Sequence, residues 1–145
     1  MVLNDIINNK VIVAGITGWA AAQVLKIVTN SIKIKRLDLS RIVGSGGMPS
    51  SHSGFVVAVA VKTGIESGFN SSIFAIAITF AIVVMYDAAG VRRAAGNQAR
   101  VINLIIQDLS HKKGIQQDRL KELIGHTPFE VIAGAILGLI IGIII

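Results

Sequence analysis

Apolar residues along this chain fall into four blocks, and the polar residues gather between them and at their ends. The first block runs from about Val11 to Thr29, with Lys26 as its only charge. The second, about Ser50 to Glu66, carries Lys62 near its end, and the third, about Ser72 to Val91, stays apolar until Asp87. The fourth, Glu130 to Ile145, is apolar after its first residue. A helix crossing a bilayer takes roughly 20 apolar residues. The first and third blocks meet that length. In the second, the long side chain of Lys62 is expected to snorkel to the interface. The fourth, with 16 residues, is expected to begin a few residues earlier or to cross at a thin place. The pattern predicts an all-α, polytopic membrane helix bundle of about four spanning helices, one domain over residues 1–145.

Two further patterns refine this picture. From Ala94 to Leu109, Val101, Ile102, Leu104, Ile105, Ile106 and Leu109 alternate with Arg100, Asn103, Gln107 and Asp108. That period predicts an amphipathic helix lying on the membrane or capping the bundle. The following SHKKGIQQD reads as turn or linker, which leaves His111 solvated and outside any site. Small residues also recur at i, i+4 spacing: Ala14, Gly18 and Ala22 in the first block, and Gly134, Gly138 and Gly142 in the fourth. Such stripes let helix backbones approach closely. They are expected to serve packing within the bundle and to offer a route to a homodimer.

Composition agrees with lipid as the main solvent: 52% hydrophobic residues, 15% charged and a mean hydropathy of +0.70, against about 25% charged in soluble domains. Cysteine is absent, which excludes disulfide and thiolate chemistry. MVLNDIINNK lacks the basic region and cleavage site of a secretory signal. The net charge of +6 does not point to nucleic acid, because no recognition motif accompanies it. Its distribution points to orientation instead. Lys33, Lys35, Arg36 and Arg41 lie between the first two blocks; Arg92, Arg93, Arg100, Lys112, Lys113, Arg119 and Lys121 lie between the last two. The segment between blocks two and three, and the C-terminus, hold neither Lys nor Arg. The positive-inside rule therefore places both basic loops in the cytoplasm, both termini outside, and the protein in the plasma (inner) membrane.

Three polar segments meet at that cytoplasmic side. In GSGGMPSSHSGF, residues 44–55, Pro49 sits near a helix start, and Ser50, Ser51 and Ser53 offer caps and hydroxyls. A helix N-terminus presents free N–H groups and a positive dipole end, which together suit a phosphate. His52 follows in the first turn, able to pass a proton near neutral pH. In MYDAAGVRRAAGNQAR, residues 85–100, Asp87 lies one helical turn before Val91 and Arg92, with Arg93 next. Either arginine can pair with the carboxylate, and a guanidinium fork also fits phosphate oxygens. In RLKELIGHTPFEVIAGAILG, residues 119–138, His126 and Glu130 share a helix face if the helix begins near His126. A carboxylate on one imidazole nitrogen leaves the other aimed at a substrate. Taken singly, each segment also reads as a capped helix start, a stop signal with an ion pair, or an interfacial histidine.

Order and local pattern together resemble the type 2 phosphatidic acid phosphatase superfamily, which includes the vanadium haloperoxidases, and above all its short divergent branch. PSSH, residues 49–52, is similar to that superfamily's Pro-Ser-Gly-His motif, with Ser51 in place of glycine. HTPFEVIAGAILG, residues 126–138, is similar to the end of its third motif, with Glu130 in place of aspartate at the same spacing; GGMPSSHS and YDAAGVRRAAG complete the pattern. The first motif, Lys with Arg-Pro, has no contiguous counterpart and is dispersed over Lys26, Lys35 and Arg41; Arg119 stands one position from where Ser-Arg would fall.

The resemblance implies a phosphatase acting on a membrane lipid phosphate or pyrophosphate, without metal or other cofactor. His126 would be the nucleophile that becomes phosphohistidine, Glu130 its orienting carboxylate and His52 the acid and base. Ser50, Ser51, Lys26, Arg92, Arg93, Arg41 and Arg119 would hold the phosphate oxygens, with Asp87 pairing among them. Two other readings use the same residues. One is a non-catalytic protein that binds or moves lipid phosphates and kept the anion cradle. The other is a small structural subunit whose polar cluster only satisfies helix ends.

Overall fold

A computed structural model describes residues 2–35, 47–113 and 125–145, and among these every regular element is an α-helix. In chain order they are α1 (Val2–Ile7), α2 (Lys10–Ile34), α3 (Ser51–Ser67), α4 (Ser72–Ala89), α5 (Val91–Lys113) and α6 (Pro128–Ile144). Their starts follow local chemistry. The side chain of Asn9 accepts from the N–H groups of Val11 and Ile12 at the head of α2. Ser50 caps α3, Ser71 caps α4 and Thr127 caps α6, each accepting the N–H three residues on. Pro128 occupies the first turn of α6, where a missing N–H costs nothing.

α3 is the hub. α2, α4 and α6 all pack on it, while α5 touches only α4 among the described elements. α2 and α4 run antiparallel to α3; α6 runs parallel to it. The reason lies in small residues. A Cβ added at Gly18 would stand 2.5 Å from the Gly54 carbonyl oxygen, and one at Gly138 would stand 2.6 Å from the same atom. A Cβ at Gly134 would strike the carbonyl oxygen of Ser50, and one at Gly142 would come within 2.8 Å of Val61. Ala14, Ala22, Ala58 and Ala60 are fully buried. Contact between such flat surfaces is held by van der Waals packing and needs no hydrophobic gain, as suits helices in lipid.

Both glycine stripes are thus occupied by α3 within one chain.

Elsewhere the boundaries shift modestly. Two segments, Lys10–Ile32 and Ser72–Gln107, are long and apolar enough to cross a membrane, and Pro128–Ile144 is apolar but shorter. α3 and α6 have 17 residues each, roughly 25 Å of helix at 1.5 Å per residue. Gly90 separates α4 from α5, donating to the Tyr86 carbonyl and accepting from Ala94. α5 starts three residues before the expected amphipathic stretch and runs four residues past it, through Lys113 to the glycine at 114. Lys62 is buried, with its ammonium 3.2 Å from Glu66, which also meets Lys10 at 3.6 Å. That carboxylate is exposed near the end of α3, so Lys62 runs along the bundle to a partner at its edge.

Candidate functional site

The parallel course of α3 and α6 brings their N-termini side by side at one end of the bundle, where α4 ends. Three connections hold this corner together. The Ser50 N–H donates to the Glu130 carbonyl at 2.9 Å, tying the start of α3 to the first turn of α6. The His126 N–H donates to the Ala88 carbonyl at 2.9 Å, using a carbonyl that the end of α4 leaves over. Lys26, only 2% exposed on α2, reaches Ser51 Oγ at 3.4 Å and Gln23 Oε1 at 2.9 Å.

The two histidines meet within this frame. The rings of His52 and His126 lie 5.9 Å apart between centroids, with 66° between their planes. His126 is buried, and its Nδ1 lies 3.1 Å from Glu130 Oε2. The same carboxylate oxygen accepts the Thr127 N–H at 3.0 Å, while the Thr127 hydroxyl accepts the Glu130 N–H at 3.3 Å. This is a complete capping box. Two helix N-termini, each equivalent to roughly half a positive charge, and one buried lysine surround the pair. Beside these positive groups stands the carboxylate of Glu130.

The structure brings together His52, His126, Glu130, Ser50, Ser51 and Lys26. Asp87, half-buried on the last turn of α4, precedes the Ala88 carbonyl that holds His126. Arg92 takes its place in the first turn of α5, and Arg93 is exposed beside it. Arg41 and Arg119 lie outside the described residues, as does Arg36. Among the described residues no three His, Asp or Glu side chains lie close enough to share a metal ion.

Some participants carried little signal. Thr127 could have been found, since Thr-x-x-Glu before an apolar run is the capping-box signature. Gln23 stands one turn before Lys26, but nothing in the sequence marks it as the lysine's partner. Ser53, by contrast, is offered by the sequence as a hydroxyl donor; it is fully buried against Gly134, and its hydroxyl has no hydrogen-bond partner among the described residues.

Comparison with known proteins places this geometry. The profile of the Divergent PAP2 family matches residues 7–141. The chain is also similar to an uncharacterized membrane protein, YuiD, of Bacillus subtilis (strain 168). The two are 36% identical over 152 aligned positions, which take in 97% of this chain and 96% of that one. No solved structure matches.

Proposed function

The chain belongs to the divergent PAP2 family, and from that premise we propose that it is a membrane-embedded phosphatase of lipid phosphates or pyrophosphates. The observation that carries this reading is the facing pair of imidazoles, one of them held by a carboxylate, at the joined N-termini of α3 and α6. Nδ1 of His126 faces Glu130, which leaves the attack to Nε2. Attack on phosphorus forms the P–N bond of a phosphohistidine and breaks the ester P–O bond. His52 delivers a proton to the departing alkoxide. It then takes a proton from water as that water attacks phosphorus, and His126 is released with inorganic phosphate. Lys26, the Ser51 hydroxyl and the helix N–H groups hold the equatorial oxygens, with Arg92 and Arg93 adding charge from the head of α5 and Arg41 and Arg119 from the loops.

In this reading α2, α3, α4 and α6 span the bilayer as a single domain, and α5 lies along the cytoplasmic surface of the plasma membrane. The short lengths of α3 and α6 put their N-termini at the depth of lipid head groups. A substrate can then present its phosphate to the site while its tail stays in the bilayer.

The test is release of inorganic phosphate from a panel of lipid phosphates and pyrophosphates by purified protein, with His126→Ala as control. Turnover lost in the variant supports the phosphatase. Turnover equal in both makes His126 structural. Binding of lipid phosphate without turnover in the parent gives the lead to the protein that holds or moves lipid phosphates.

A further inference from the structure

The capping box at the head of α6 shares an atom with the site. A carboxylate only accepts hydrogen bonds, so the imidazole nitrogen facing Glu130 Oε2 is the one that carries the proton. Yet a glutamate side chain has three rotatable bonds, and this one keeps about a fifth of its surface exposed. Left alone, its carboxylate would sample water. Two bonds from one residue prevent this: the Thr127 N–H fixes Oε2, and the Thr127 hydroxyl fixes the Glu130 N–H and hence the first turn. The Glu130 carbonyl receives Ser50 from α3, so that turn also sets the register between the two helix heads.

We propose that Thr127 is a positioning residue, holding the Glu130 carboxylate so that His126 stays in the Nδ1–H tautomer while its ring lies beside that of His52. Its consequence for turnover rests on the phosphatase reading; the tautomer does not. Thr127 is exposed, so trimming it opens no cavity. A cap that served only helix stability would not move the imidazole proton.

The experiment uses the full chain in detergent micelles with 15N-labelled histidine. Only three histidines are present, and His52→Gln and His111→Gln variants assign the signals. In the parent, the His126 nitrogen shifts should report the Nδ1–H form. Thr127→Ser, which keeps the hydroxyl, should retain that form. Thr127→Ala keeps the backbone N–H on Oε2 but loses the hydroxyl that holds the Glu130 backbone in place; with helix content matched by circular dichroism, it should loosen the carboxylate and shift His126 toward the Nε2–H form that free imidazole prefers. It should also lower kcat on lipid phosphate about 10- to 100-fold, with little change in KM, as loss of an orienting partner does elsewhere. An unchanged His126 tautomer in Thr127→Ala would overturn the proposal, as would its loss in a folded Thr127→Ser protein. If the tautomer responds as stated but the parent releases no phosphate, the phosphatase reading fails and the positioning role stands.

Discussion

His126 stands one residue before the Thr127 cap, outside α6, so its 3.1 Å contact with Glu130 is made across the capping box and not along one helix face. The four-residue spacing still made the pair legible, because both residues belong to one local turn of chain. The contacts that cross between helices were not. Nothing in the sequence says that Lys26 will turn inward to Ser51, 25 positions away, or that His126 will hang on a carbonyl of α4. Backbone carbonyls have no side-chain signature. The two histidines carry different duties in the proposed reaction, and that difference is measurable. His52→Ala should slow hydrolysis of alkyl phosphates by a factor of about 10² to 10⁴, the usual yield of a general acid. Aryl phosphates, whose leaving groups need no proton, should lose far less. Equal losses on both substrate classes in a steady-state assay would remove His52 from the role of acid.

Elements were the most legible level, because hydrophobic blocks and caps are written locally. The four apolar blocks became α2, α3, α4 and α6, and the amphipathic stretch became α5. α1, with six residues, is too short for its apolar period to announce a helix. Partner choice was not readable: glycines at i, i+4 spacing announce a close approach but not what approaches. The answer is α3, and Gly54 is where the argument concentrates, since its carbonyl oxygen lies under both Gly18 and Gly138. A valine at position 138 would drive two methyl groups toward that carbonyl and the Ala58 nitrogen, which are backbone atoms that cannot swing away. Gly138→Val should therefore cost about 1–3 kcal/mol, the range of core overpacking, seen as a lower midpoint in a detergent unfolding titration. Because α3 and α6 carry His52 and His126 on their heads, phosphate release should fall with it. Ile136→Val, on an exposed position of the same helix, is the control and should change neither quantity.

At the scale of the whole molecule, charge decides which way the bundle faces. The head of α5 follows the end of α4 at the site corner, and the charge pattern of the sequence assigns the basic segments between the apolar blocks to the cytoplasm. The opposite end has Lys10 and Lys62, but both are paired with Glu66, so that face carries little unpaired positive charge near the membrane. Loop lysines and arginines resist translocation because each must leave water and the pull of the anionic inner leaflet. The bundle should therefore sit with its histidine corner toward the cytoplasm, and with the α3–α4 connection outside. The chain has no cysteine, so single replacements report without background. A cysteine at 36 or 112 should be protected from a membrane-impermeant maleimide in intact cells and should react once the membrane is opened. A cysteine at 69, where Phe69 is 62% exposed between α3 and α4, should react from outside at once. The reverse pattern would keep the bundle and its site intact but turn the site to the outer leaflet, and with it the pool of lipid phosphates the protein meets.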